Sequence, residues 1–428
     1  MLNKGIGRTF YRTPTFAEFP KSEYEARVKK AYDLMKAEEI DALLLWDEEN
    51  IRYFTGFNST HWRSKSIQPA VAILVQGQAP VLVVPEFFRG VSEATTYVDD
   101  IRGQERFDHI PNLRALPREV AAVLSEMSCA TKRIGIEDGD VANMYIPRPV
   151  RDIDTLRAAL PKATFVGAAH IIWACRVIKS DLEVDAIRRA WALTAEAFAE
   201  FVERFELGMS EREAGALLYA AIVRRGLTMG GMYFVGDPSR YPMIDSHPSF
   251  EGVPMRRGSH VVVECGGVYK GYHGSVGRCL EIGPISDEKL EFIEAVEAGQ
   301  DGALASLRHG VKAQDVIAAA AAALAKKGFK PTGFVGHSIG LTGHEPPDLT
   351  DTQTMLVQKG MVLAVEVWIY EITGFTRGGR LTAEASASRK NLGQFGMEEV
   401  VLVTDDGYEM LPAFPREIRM IPRSLGNA

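Results

Sequence analysis

The chain is poor in cysteine, has no long apolar run, and carries no excess of basic charge. Its four cysteines, Cys129, Cys175, Cys265 and Cys279, stand at no CxxC spacing. That argues against a zinc knuckle and against a disulfide framework. Reduced thiols in a cytoplasmic protein are the expectation. No apolar stretch approaches the ~18–20 residues that span a bilayer, so no membrane partner is expected. The opening MLNKGIGRTFYRTPTF lacks the apolar core of a secretory signal. With 49 Lys+Arg against 56 Asp+Glu the net charge is −7, which argues against broad nucleic-acid binding, since that needs a clustered basic surface. What remains is an ordinary globular composition, 46% hydrophobic and 25% charged, over 428 residues. That length suits two or three domains.

Periodicity divides the chain. Residues 1–20 mix proline and aromatics without a repeat and are expected to form an extended arm. From Tyr24 to Glu39 apolar residues recur at helical spacing (Tyr24, Val28, Ala31, Leu34, Met35). DALLLW (41–46), Ala70–Val75, Pro80–Val84 and RIGIE (133–137) read as short buried strands, and 144–160 as a further helix. Strands alternating with helices predict an α/β domain over residues 21–172. A boundary is expected in IWACRVIKSDLE (172–183), where Ser180 or Asp181 can cap a long helix running to Phe205. Helices are predicted at 210–225, 287–307 and the Ala-rich 312–327, with strand-like runs around Met232, Val261, Cys279, Val362 and Val400. A second domain, 173–428, is therefore expected to be of α+β type.

The polar residues that resist a purely structural explanation lie in the second domain. His337 and His344 stand seven residues apart in GHSIGLTGHEPP (336–347), where glycines permit close backbone approach to a ligand. Glu366 interrupts the apolar strand VLAVEVWIY, and Glu398 precedes the apolar run 400–403. A carboxylate buried in such a setting is costly unless paired, hydrogen-bonded or metal-bound. Glu399 falls on the opposite strand face and reads as structural. His247 lies in the loop-like DSHPSFEGVPMRRG before the strand that ends in Glu264. Tyr272, His273, Ser275 and Arg278 follow in YKGYHGSVGR. Cys265 has no partner arrangement of a thiol nucleophile and reads as packing.

Together, VVVECGGVYKGYHGSVGRCL (261–280), GHSIGLTGHEPP, GMVLAVEVWIY (360–370) and GMEEVVLVT (396–404) resemble the pita-bread hydrolases: aminopeptidase P, prolidase, creatinase and ectoine hydrolase. The resemblance implies a creatinase-like N-terminal α/β domain and an α+β pita-bread catalytic domain. It implies a homodimer in which the N-terminal domain of one subunit caps the site of the other. In metal-dependent members the first segment carries two aspartates, one in the strand and one bridging both ions. Here those positions hold Glu264 and Ser275. A hydroxyl is a poor substitute for a hard anionic ligand. The site pattern is thus closest to creatinase and ectoine hydrolase, which by resemblance work without metal. The residues matching retained metal ligands are His337, Glu366 and Glu398, with Glu264 as a possible fourth. One Zn, Mn or Fe ion on that set is the alternative to no cofactor.

The expected activity is hydrolysis of a C–N bond (amide, amidine or guanidino) in a small polar or zwitterionic metabolite. His247, Glu264, His344 and Glu366 would carry the proton transfers or a covalent step. His61, Trp62 and Arg63, after a family-like Asn-Ile-x-Tyr-x-Thr-Gly-Phe turn (50–57), and Tyr272, His337 and Trp368 would contact the substrate. Trp368 stands where peptidases of the family usually have glycine, after a proline. Three other readings compete: a metal-dependent Xaa-Pro dipeptidase or aminopeptidase, a single-metal lyase on a sulfonium or betaine substrate, and a binding protein without catalysis.

Overall fold

A computed structural model describes residues 14–64, 68–104, 116–139, 150–237, 254–371, 378–380, 392–411, 415–416 and 419–420. The chain forms two compact units, Met1–Arg176 and Val177–Ala428.

In the first unit the elements run α1 (Lys21–Ala37), β1 (Ala42–Leu45), α2 (Glu48–Thr55), β2 (Val71–Val75), β3 (Val81–Pro85), α3 (Arg89–Thr95), β4 (Asp100–Gln104), α4 (Leu116–Glu126), β5 (Arg133–Ile136), α5 (Val150–Ala159), β6 (Thr164–Gly167) and α6 (Ala169–Arg176). The strands make one sheet in the order β4-β3-β2-β1-β5-β6. Pairing is antiparallel along β1-β2-β3 and parallel for β3-β4, β1-β5 and β5-β6. All residues of β1, β2 and β3 are buried, as continuous apolar runs require when both faces are covered. Where the sequence analysis expects a turn at 50–57, a short helix stands first. Glu137 accepts from Trp46 N (2.8 Å), Asp47 N (3.1 Å) and Asn50 Nδ2 (2.7 Å) at the start of α2, an anion where the helix dipole favours one. The helix closes at Gly56, whose φ of 77° lies in the left-handed region that favours glycine.

The second unit begins with α7 (Asp181–Arg204) and α8 (Glu211–Arg224), then β7 (Thr228–Gly236), β8 (His260–Tyr269), β9 (Tyr272–His273), β10 (Val276–Ile282), α9 (Asp287–Ser306), α10 (Ala313–Lys326), β11 (Phe329–Lys330), β12 (Phe334–Ser338), β13 (Glu345–Thr350), β14 (Val362–Glu371), β15 (Gly379–Arg380), β16 (Gly393–Val403), β17 (Tyr408–Met410) and β18 (Arg419–Met420). Ser180 and Ser210 start α7 and α8 with complete capping boxes, each worth about 1 kcal/mol. One large sheet runs β13-β12-β14-β16-β10-β8-β7. Along β14 and β16 the alternate residues Val365, Val367, Ile369, Met397 and Val401 join Phe292, Ala303, Ile317 and Leu324 of α9 and α10 in one apolar core. The period of two therefore sends Glu366, Trp368 and Glu398 to the opposite face. No helix among the described residues is long and apolar enough to cross a membrane.

Candidate functional site

Register assembles the carboxylates. Glu366 on β14 stands directly opposite Glu398 on β16, and Trp368 opposite Gly396. Across β8 and β10, Glu264 stands opposite Gly277. A Cβ built on Gly277 would lie 3.2 Å from Glu398 Cβ and 3.3 Å from its Oε2. Three carboxylates and one bare glycine thus share one face over four strands. Glu366 and Glu398 are buried and Glu264 is half-buried.

The imidazoles arrive from β12 and the turn after it. His337, at the end of β12, pairs with Ala364 of β14. Its Nδ1 donates to Ser338 O at 2.9 Å. A carbonyl only accepts, so the proton sits on Nδ1 and Nε2 keeps its lone pair. That nitrogen faces Glu366 Oε1 at 3.5 Å, beyond hydrogen-bond reach. Burial first, then neighbouring His344, hold the imidazolium form of His337 down to about pKa 3. The Nε2 lone pair therefore faces a carboxylate oxygen rather than a donor. His344 stacks on His337 with ring centroids 3.6 Å apart and planes 12° from parallel.

The donor atoms of His337, His344 and Glu366 lie within 4.8 Å of one another, a His/Glu group within the distances of a divalent-ion site. Their directions are less favourable. An ion in the plane of one imidazole lies roughly 3 Å out of the other plane, whereas imidazole nitrogen binds metal in plane at ~2.0–2.1 Å. The two rings cannot both direct lone pairs at one ion in this arrangement. Glu398 and Glu264, named above beside His337 and Glu366, are not in the group.

Glu398 is held differently. Its Oε2 accepts from Ser275 Oγ at 3.0 Å. Its Oε1 is buried and has no partner among the described residues. Burial raises its pKa to about 7, against the lowering effects of Ser275 and Arg278. Arg278 spends its guanidinium elsewhere: on the main-chain oxygens of Gly277 (2.9 Å) and Glu398, and on Glu399 Oε1 (3.2 Å). Glu399 also accepts from Arg416 Nε at 3.3 Å. It is a structural partner, as its strand face predicts.

The remaining candidates are scattered. Trp368 Nε1 donates to Glu366 Oε2 at 2.7 Å, a bond the sequence did not reveal. Tyr272 is buried and donates to Glu183 Oε1 at 2.9 Å, beside the cap of α7. Cys265 is buried, and burial pushes its thiol well above the ordinary range. His61, Trp62 and Arg63 belong to the first unit, in the 3₁₀ turn Thr60–Ser64. His61 meets Phe87 and Phe88 edge-on at 5.5 and 5.1 Å. His247 lies outside the described residues. The sequence reading also missed Lys179. Its buried Nζ donates to Ser338 Oγ (2.7 Å) and Glu345 Oε2 (3.2 Å), while Glu345 Oε1 accepts from Thr342 N (3.2 Å). This ion pair braces the turn that presents both histidines. Lysine seven residues into the boundary segment, with a glutamate directly after His344, was the available signal.

With this geometry in hand, comparison with known proteins is informative. The sequence profile of metallopeptidase family M24 matches residues 185–405, and that of the creatinase/prolidase N-terminal domain matches 27–178. The ectoine hydrolase of Halomonas elongata is 25% identical over 425 residues, covering 94% of this chain and 98% of that protein. The probable dipeptidase PepE of Mycobacterium tuberculosis is 28% identical over 325 residues, 73% of this chain and 81% of that protein. Among solved structures, the Xaa-Pro dipeptidase from Bacillus anthracis superposes with a TM-score of 0.75 at 21% identity, over 92% of this chain and 99% of its own. That likeness speaks to the fold.

Proposed function

The chain belongs to metallopeptidase family M24, and from that premise we propose that it hydrolyses a C–N bond of a small polar or zwitterionic metabolite without a dinuclear metal centre. The single observation that carries this reading is the Ser275–Glu398 contact. A neutral hydroxyl donates where a bridge between two cations must be anionic. Two ions do not fit this donor set, and the stacked imidazoles offer one ion poor geometry. The chemistry then falls to the side chains. Glu366 Oε1, facing the bare Nε2 of His337, is the base that takes a proton from the attacking water. The water oxygen bonds to the carbonyl or amidine carbon, and the C–N bond breaks. The leaving nitrogen takes a proton from His344 or from His247. Glu264 orients the substrate from β8, or attacks directly to form an acyl intermediate that water then resolves. His61, Trp62, Arg63 and Tyr272 are assigned to substrate contact on the resemblance, and a homodimer is expected on the same ground. The ectoine hydrolase relative favours an amide or amidine substrate.

A second reading, a metal-dependent dipeptidase with one Zn, Mn or Fe ion, is favoured by the His337–His344–Glu366 group and by the PepE relative. Metal analysis with a chelator assay on the purified chain separates them, run on cyclic amidines, guanidino compounds, amides and Xaa-Pro dipeptides. Turnover that survives chelation, on a non-peptide substrate, is the expected result. Stoichiometric metal whose removal stops cleavage of Xaa-Pro dipeptides alone overturns it.

A further inference from the structure

We infer that Trp368 is a built-in plug, which occupies the part of the sheet face where a cation held between Glu366 and Glu398 would sit. The inference rests on the metal-poor reading above and names the residue that enforces it. Gly396 stands opposite Trp368, and a Cβ there would come within 2.1 and 2.2 Å of two indole carbons. The six-membered ring therefore lies against a bare Cα. A Cβ on Gly277 would meet the far edge of the same ring at 3.1 Å. The indole thus extends from β14 across β16 towards β10 and β8, where it packs on Cys279 and Val262.

One edge of the indole, from Nε1 to Cζ2, lies toward the two carboxylates. Nε1–H takes Oε2 of Glu366 at 2.7 Å. Cζ2, two bonds from Nε1 on the same edge, and Glu398 Oε2 flank one point, 3.1 and 3.3 Å from the place of a Gly277 Cβ. An aromatic edge carries positive potential. It suits a carboxylate and repels a cation, while the N–H removes one of the oxygens a cation would need from Glu366. Trp368 is accordingly a positioning residue: it leaves Oε1 of Glu366 as the oxygen facing His337. Glycine at both 277 and 396 is the sequence condition for the ring to lie there.

The test is equilibrium dialysis of the full-length chain against Mn²⁺ and Zn²⁺, with ions per chain counted for the wild type, Trp368→Phe, Trp368→Gly and Gly396→Ala. Gly396→Ala lifts the ring while keeping the indole. Trp368→Gly and Gly396→Ala are expected to bind about tenfold more tightly, the equivalent of one freed charge-assisted acceptor. Trp368→Phe, which keeps the ring and loses the N–H, is expected to gain about threefold. Unchanged affinity in the folded variants overturns the plug, and Trp368→Phe decides the matter if the glycine variant does not fold. Two ions on the wild-type chain defeat the metal-poor reading and the plug together. One or none on the wild type, with no gain in the variants, removes the plug and leaves that reading standing.

Discussion

One face of the second unit's sheet buries two polar clusters of similar composition and opposite character. At the start of β8, His260 and Glu281 stand opposite each other on the face that also carries Glu264 and Gly277. His260 Nδ1 donates to Glu281, its Nε2 to Gln394 O at 2.5 Å, and Lys289 Nζ reaches Glu281 Oε2 at 2.6 Å. Both ring nitrogens donate, so this histidine is an imidazolium. Burial opposes that charge, yet hydrogen bonds with Cys279 and Glu281 outweigh it and push the pKa to about 10. The other cluster holds His337 neutral, 3.5 Å from Glu366 Oε1, and leaves Glu398 Oε1 with no hydrogen-bond partner among the described residues. Burial and residue type are alike in the two. Satisfaction differs. A closed network serves the fold, and an open one is built to receive something.

The largest effect that can break this comparison comes from neutralising one carboxylate in each cluster. Glu366→Gln is expected to lower kcat/KM by about 10²–10⁴-fold, the range for loss of a general base, with little change in stability. Glu281→Gln leaves the buried His260 imidazolium and the half-buried Lys289 ammonium unbalanced and is expected to cost about 3–5 kcal/mol, with activity following the folded fraction. Thermal unfolding and initial rates on both variants check it. If Glu366→Gln destabilises as much as Glu281→Gln, the site is merely a second structural network.

The contrast was only half legible in the sequence. Long periodic helices were readable because packing and propensity agree there: 287–307 was expected and Asp287–Ser306 is found, with Ser180 capping α7 through a full box. The second unit's site was approached through its motifs, so Glu366 and Glu398 stood out as carboxylates in apolar strands. What the sequence could not show is which oxygen meets which donor. The Trp368–Glu366 bond needs the i, i+2 face and two bare glycines on neighbouring strands, and that depends on long-range register. The same ignorance hid the His260–Glu281–Lys289 network, whose members look like unremarkable strand and helix residues. The segment 50–57 reads as a turn in the sequence because α2 is only eight residues and draws its N-terminal support from Glu137, far along the chain.

A smaller effect sharpens the comparison through pH. His260 has its folded pKa raised from 6.5 to about 10. Its stabilisation is fully present below pH 6.5 and is lost as pH rises through 10. His337 has its folded pKa lowered from 6.5 to about 3. The native state then refuses a proton that the unfolded chain accepts, so stability falls as pH drops from 6.5 towards 3. His260→Gln should flatten the alkaline limb of a stability profile and His337→Gln the acid limb, each by on the order of 5 kcal/mol. Identical profiles for both variants would mean that the two histidines do not hold opposite charge states.

The smallest expected effect belongs to Ser275→Ala. The hydroxyl is the donor that Glu398 has from Ser275, on Oε2 at 3.0 Å, and the side chain's other oxygen already has no partner among the described residues. Below pH 7 the carboxyl is largely protonated, because burial raises its pKa to about 7, and loss of the bond is expected to cost well under about 1 kcal/mol. Above pH 7 the same loss strands a buried anion with neither oxygen satisfied from this side, and about 1–2 kcal/mol is expected. The sign follows from linkage: a carboxyl with a raised folded pKa destabilises the native state as pH climbs from 4.5 through 7, and removing a donor steepens that fall. Denaturant midpoints of wild type and variant at pH 5.5 and 8.5 measure it. A cost that is equal at both pH values would mean that Glu398 carries the same charge throughout, as Glu281 does, and the open cluster would lose its distinguishing mark.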